Sequence, residues 1–231
     1  LDEKKQKQLL EQIMNIDFDL IKSLYDNTKK ENSTNGDKIE PMEYLDKYKL
    51  NDKYKYYENI GKEAIKAGKL AAVTMAGGQG TRLGHSGPKG TYDIGLDSHK
   101  SLFELLSDYL KEEGQKYNVT IPWFIMTSRE NNKETIEFFE KNKFFGYQKD
   151  KNIFFFIQGE LPMVDTEGKV LIGEDGLIKQ AADGHGGIYE SLVKNGMTKK
   201  MRQLGIEWVF IGGVDNCLVK MVDPVLMGVA I

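Results

Sequence analysis

Apolar positions follow two different periods along the chain. Leu9, Ile13, Ile16, Leu20 and Leu24 recur at three- and four-residue spacing among Lys, Glu, Asp and Gln, which predicts one amphipathic helix over about residues 3–27. Residues 32–37, Asn-Ser-Thr-Asn-Gly-Asp, read as a turn-rich polar linker, and 42–57 is rich in Lys and Tyr with weak periodicity and no evident chemistry. Beyond this, compact apolar runs alternate with helical periods. Strands are expected at 70–75, 123–126, 153–157 and 208–211, and helices at 101–117, 131–143, 188–194 and 199–204. Between them, 164–178 carries Gly168, Gly173 and Gly176 and reads as a hairpin excursion. A βαβαβ order with nearly continuous apolar strands predicts an α/β fold whose mostly parallel sheet is covered on both faces. The expected organisation is an N-terminal helical extension, 1–60, followed by an α/β nucleotide-binding catalytic domain, 61–231. The chain opens on Leu1 rather than Met, and 225–231 looks like the apolar start of an element left in water, so a longer protein is expected, with its C-terminal part missing.

Composition narrows the options. The 231 residues, 40% hydrophobic and 29% charged, suit a soluble domain or slightly more. With 32 Lys and Arg against 35 Asp and Glu, the net charge of -3 offers no field for nucleic acid or an anionic membrane. Cys217 stands alone, which excludes a disulfide framework and fits a cytoplasmic location. The apolar run at 225–231 is far too short to span a bilayer, and the Lys-rich start lacks a signal-peptide core.

The densest chemistry lies at 75–90, Met-Ala-Gly-Gly-Gln-Gly-Thr-Arg-Leu-Gly followed by Gly87-Pro88-Lys89-Gly90. Gly77, Gly78 and Gly80 directly after a buried strand leave main-chain N–H groups without side-chain cover, so an anion or a planar base can approach. Two familiar nucleotide loops fail on spacing: Leu83 stands where a dinucleotide fingerprint needs Gly, and Lys89 lacks the glycine of a P-loop before it. Arginine is scarce, at Arg82, Arg129 and Arg202, so Arg82 inside the glycine loop points to phosphate, with Lys89 as a second cation. Asp215, after the last strand, is suited to a Mg²⁺ ion, which takes only one or two carboxylates from protein.

These residues resemble the UDP-sugar pyrophosphorylases, and within them the UDP-N-acetylhexosamine branch. The likeness runs from near Gly61 to the end. It rests on the 76–84 loop, Pro88-Lys89-Gly90, Tyr92-Asp93-Ile94-Gly95-Leu96, Gln158-Gly159-x-Leu161-Pro162, Asp183-Gly184-His185-Gly186-Gly187 and Val214-Asp215-Asn216-x-Leu218-Val219-Lys220. The resemblance implies a Rossmann-like sheet of the nucleotide-diphospho-sugar transferase type. It implies a uridylyltransferase that converts UTP and a sugar 1-phosphate to a UDP-sugar and pyrophosphate. Arg82 and Lys89 would be catalytic, Gly77, Gly78, Gly80, Gln158, Gly184, His185 and Asp215 would bind the nucleotide, and Asp215 would hold Mg²⁺. A primary amide at Gln158 matches the O4 and N3–H edge of uracil.

The sugar stays open between two patterns. His185 is what UDP-glucose enzymes of the wider family carry, whereas Gly186-Gly187 and the 138–162 stretch look like the N-acetylhexosamine branch, which favours N-acetylglucosamine 1-phosphate. A UDP-sugar-dependent glycosyltransferase and a silent nucleotide-binding regulator are the alternatives of other classes. Asp17-Phe18-Asp19, the D-x-D pair a glycosyltransferase would use, is expected inside the first helix and therefore idle. His85 and His99 read as ordinary surface residues, and Thr166-Glu167-Gly168 as a turn.

Overall fold

The computed structural model describes residues 2–30 and 39–231; the expected linker at 32–37 lies outside the described residues. In chain order the helices are α1 (Glu3–Asn15), α2 (Phe18–Thr28), α3 (Asp52–Lys66), α4 (Leu102–Tyr117), α5 (Asn132–Lys141), α6 (Ile188–Lys194), α7 (Met197–Gln203) and α8 (Pro224–Ala230). The strands are β1 (Leu70–Met75), β2 (Trp123–Thr127), β3 (Ile153–Ile157), β4 (Glu160–Pro162), β5 (Gln180–Ala182) and β6 (Trp208–Gly213). The chain forms two compact units, one of Leu1–Glu43 with Gly159–Gly184 and the other of Tyr44–Gln158 with His185–Ile231. This division does not follow the expected boundary at residue 60, because α3 packs against α8 and so belongs with the sheet.

In the first unit the single helix expected over 3–27 is two. Ile16 is extended (φ -92°, ψ 127°), and the Asp17 carboxylate accepts the Leu20 N–H at 2.9 Å, so Asp17 caps α2 instead of lying within a longer helix. The hydrophobic period continues through the break, which is why periodicity alone misses it. Of the D-x-D pair, Asp17 caps α2 and Asp19 lies in its first turn. Gln12 pairs with the hairpin main chain from α1: Ile178 N–H donates to its Oε1 at 2.9 Å, and its Nε2 donates to the Ile178 carbonyl at 3.0 Å. Tyr25 donates its hydroxyl to the Thr166 carbonyl at 2.7 Å, and its ring covers Gly168, whose φ of +86° suits a turn. The 164–178 excursion is a hairpin as expected, with antiparallel bridges Val164 to Val170 and Ile172 to Ile178 continuing into β4 and β5.

The second unit is built on a four-stranded parallel sheet in the order β3-β2-β1-β6. Ala72 sits in register with Trp123 on one side and Phe210 on the other. Strands buried on both faces demand apolar side chains at successive positions, and β1 and β2 are buried almost end to end. One face packs Ile65, Phe103, Leu106, Leu110, Trp123, Phe139 and Ile153; the other packs Val73, Phe124, Met126, Phe154, Ile188 and Leu192.

The Lys- and Tyr-rich region has only a weak apolar pattern, yet α3 begins within it, at Asp52. Its buried stripe is thin, only Gly61 and Ile65. Gly61 and Gly228 form a notch between α3 and α8: a Cβ on the first would collide with the Pro224 carbonyl, and one on the second with the Tyr57 carbonyl. The expectation that 225–231 stands in water holds for only part of the segment. Val225 and Met227 are buried against α3, while Leu226 and Ile231 remain exposed.

Candidate nucleotide site

Parallel strands deliver their carboxyl ends to one edge, and the predicted chemistry of the second unit gathers there. β1 runs into the glycine loop, β2 into Ser128, β3 into Gln158 and β6 into Asp215. The loop is anchored at its root by Ala76 N–H donating to the Met126 carbonyl at 2.7 Å and Val214 N–H donating to Met75 at 3.1 Å.

Above that root the main chain opens. The N–H groups of Gly77 and Gly78 donate to no acceptor among the described residues, and Gly78 is exposed. Unpaired main-chain donors on an accessible loop are a ready site for a base carbonyl or an anion. The Gln158 amide lies directly over Gly77: a Cβ there would sit 2.5 Å from its Oε1 and 3.1 Å from its Nε2. No protein partner holds that amide among the described residues, so both its donor and its acceptor are available.

Gly80 plays a different part. Its N–H is consumed internally, donating to the Gly87 carbonyl at 2.8 Å, and its α-carbon faces the His85 ring, where a Cβ would come within 2.9 Å. Gly80 therefore shapes the loop. Arg82 stands exposed in the short turn Thr81–Leu83, engaged by no ion pair among the described residues.

Lys89 is more tightly set. Its N–H donates to the Gly78 carbonyl at 3.1 Å, Pro88 and Gly90 on either side of it are buried, and Gly90 lies so close against the Phe103 ring that any side chain would collide with it. The Lys89 Nζ reaches the Asp215 Oδ2 at 3.4 Å, with 20% of the lysine side chain and 63% of the aspartate side chain exposed. The two charges meet across the β1–β6 pair, next to the open amides.

Two further predicted residues, Gly184 and His185, are neighbours in the sequence. His185 is exposed in the turn His185–Gly187 ahead of α6, and no hydrogen bond or ion pair joins it to the glycine loop. Gly184 closes the first unit, with φ +79°, a conformation that favours glycine.

Two residues carry more than the sequence suggested. His85, expected at the surface, is half-buried; its Nε2 lies 2.7 Å from the Thr91 Oγ1, and that hydroxyl donates onward to the Pro88 carbonyl at 2.8 Å. With the hydroxyl proton so used, the imidazole is the donor, and His85 ties the Gly80 side of the loop to the Lys89 turn. Asn131 is fully buried and bonds to the loop from the end of β2. Its signal was the Ser128-x-x-Asn131 spacing ahead of a helix. His99 is at the surface as expected, 3.1 Å from Asp93.

An open parallel sheet flanked by helices, with unpaired amides, a free primary amide and a lysine–aspartate pair at one edge, makes this unit an α/β domain with its candidate chemistry at the strand ends. Comparison with known proteins sharpens this. Residues 14–231 match the family described as UTP–glucose-1-phosphate uridylyltransferase. The UDP-N-acetylglucosamine pyrophosphorylase of Saccharomyces cerevisiae is 39% identical over 213 residues, covering 89% of this chain and 44% of its own. UDP-N-acetylglucosamine diphosphorylase 2 of Arabidopsis thaliana is 40% identical over 188 residues, covering 77% of this chain and 37% of its own. Among solved structures, the uridine diphosphate N-acetylglucosamine pyrophosphorylase of Trypanosoma brucei superposes with a TM-score of 0.82 at 28% identity, over 99% of this chain and 50% of that one. The chain belongs to the UDP-sugar pyrophosphorylase family, in its UDP-N-acetylhexosamine branch. It spans about half the length of the curated relatives it matches. No helix among the described residues is long and apolar enough to cross a membrane.

Proposed function

We propose that the chain contributes the nucleotide half of a uridylyltransferase that joins UTP to N-acetylglucosamine 1-phosphate, giving UDP-N-acetylglucosamine and pyrophosphate. The observation that carries this is the pairing of the open Gly77 and Gly78 amides and the Gln158 amide with the Lys89–Asp215 pair on one sheet edge. The first set suits the polar edge of uracil, and the second suits phosphates. The names of the relatives favour the N-acetylated sugar over glucose.

An oxygen of the sugar phosphate attacks the α-phosphorus of UTP in line, and pyrophosphate leaves. A sugar phosphate is already largely ionised near neutral pH, so the protein has no proton to remove. Its task is alignment and the placing of positive charge where phosphate charge develops. Lys89, gripped between Pro88 and Gly90, keeps a fixed ammonium there, while the exposed Arg82 has the freedom to fold onto the β- and γ-phosphates. Asp215 would hold Mg²⁺. One exposed carboxylate, with no cluster of three or more acidic, His or Cys ligands among the described residues, fits an ion that draws its other ligands from phosphates and water. Bound there, the ion would neutralise charge on the triphosphate. We further propose a cytoplasmic setting, in which Cys217 stays reduced.

The test is pyrophosphate release from UTP by the protein with N-acetylglucosamine, N-acetylgalactosamine, glucose and galactose 1-phosphates, with and without Mg²⁺. Release dependent on Mg²⁺ and fastest with the N-acetylglucosamine ester is expected. Binding of UTP with no release for any sugar phosphate would point instead to a regulator, and preference for glucose 1-phosphate would reassign the sugar.

A further inference from the structure

We infer that Asn131 is a positioning residue for the uridine site, the tether that holds the Gly77–Gly78 main chain in register with Gln158; the inference rests on the uridylyltransferase reading.

Ser128 and Asn131 bond reciprocally, in the manner of a capping box, across the turn that leads into α5. The Ser128 N–H donates to the Asn131 Oδ1 at 2.9 Å, and the Asn131 N–H donates to the Ser128 Oγ at 3.2 Å. A Glu or Gln commonly fills the second position of such a box. What Asn adds is a donor on a short, fully buried stem. Its Nδ2 donates to the Ala76 carbonyl at 2.9 Å and to the Gly78 carbonyl at 3.3 Å, bracketing Gly77 from beneath.

The geometry divides the side chain into two jobs. The oxygen closes the turn ahead of α5, and the nitrogen serves the loop. With the Ala76 and Gly78 carbonyls drawn inward, the peptide planes at 77 and 78 have little freedom, and their N–H groups keep their open aspect before any ligand arrives. Such preorganisation shows in affinity, since a loose loop must be ordered by the nucleotide itself.

Three variants separate the jobs. Asn131→Ser, one atom shorter, gives up both the Ser128 N–H and the loop carbonyls. Asn131→Asp keeps the acceptor and turns the donor into a carboxylate facing two carbonyl oxygens. Ser128→Ala damages that turn and leaves the tether. Calorimetric binding of uridine and of UTP, kcat and KM for pyrophosphate release, and thermal melting are measured for each. For both Asn131 variants the Kd for uridine and for UTP should rise roughly tenfold together, the worth of one buried hydrogen bond, with kcat at saturating UTP nearly unchanged. Ser128→Ala should lower the melting temperature and leave both Kd values alone. The inference is overturned if folded Asn131 variants bind uridine as the wild type does, if Ser128→Ala weakens binding equally, or if neither Asn131 variant folds, which would make the residue purely structural. A wild-type chain that binds no uridine nucleotide sinks the underlying reading as well.

Discussion

Replacing Gly77 with Ala should separate binding from folding. Gly77 is absent from the positive-φ glycines, so alanine fits the backbone there and gains a few tenths of a kcal/mol to about 1 kcal/mol by restricting the unfolded chain. Its new methyl group would meet the Gln158 Oε1 at 2.5 Å and Cδ at 2.8 Å, the far end of a flexible side chain, so the amide swings aside at small cost to stability. To regain ordinary contact it must retreat by about 1 Å, more than the useful range of a hydrogen bond allows. Both bonds from the amide to a uracil edge are then lost. At about 0.5 to 1.5 kcal/mol each, the loss is roughly 1 to 3 kcal/mol, or about 5- to 150-fold in Kd. Calorimetric titration with uridine and UTP, beside a thermal melt, provides the measurement. An alanine variant that melts like the wild type and binds uridine just as tightly would refute the placement of the base over Gly77.

Three other outcomes are expected. Lys89→Ala should lower turnover by about 10² to 10³, equivalent to about 2.7 to 4 kcal/mol of transition-state stabilisation, while UTP still binds; single-turnover kinetics at saturating UTP would show it. Gly90→Ala should behave in the opposite sense to Gly77→Ala, because its methyl group collides with a Phe103 ring already locked against Trp123 and Phe139. Overpacking of that kind costs about 1 to 3 kcal/mol, readable as a lower urea midpoint. At Asp223, burial works against the charge, yet hydrogen bonds from Lys47 at 2.7 Å and from the Leu226 and Val225 N–H groups outweigh it and hold the carboxyl below its ordinary value. A lowered carboxylate contributes stability that is complete above the unfolded value near pH 4 and fades as pH falls through the folded value. Urea melts from about pH 6 down to about pH 3 should therefore show a loss of stability that Asp223→Asn flattens.

The strands were legible because a buried parallel strand is mostly apolar, and 70–75, 123–126 and 153–157 leave little other choice. The glycine loop was legible for a related reason, since bare main chain after such a strand has few structural uses. Other features depended on contacts that no local pattern carries. Helix α3 hides behind Lys and Tyr, its anchor being the Gly61–Gly228 notch rather than a broad apolar stripe. The break between α1 and α2 rests on one carboxylate and one N–H, beneath a hydrophobic period that runs on regardless. His85 becomes half-buried only when the loop turns back on Gly80. The meeting of Lys89 with Asp215 follows from β6 pairing with β1, a neighbour relation that strand order along the chain does not dictate.

That last pairing has a bearing on how the molecule comes to exist. β1, β2 and β3 are made early and can zip together in sequence, whereas β6 leaves the ribosome much later and must find β1 across everything between Met75 and Trp208. Until it does, one edge of the nascent sheet lies bare and Lys89 has no aspartate beside it. The Lys89–Asp215 pair therefore depends on a strand made long after the glycine loop, and a translation arrest short of Trp208 would leave that loop without its carboxylate neighbour.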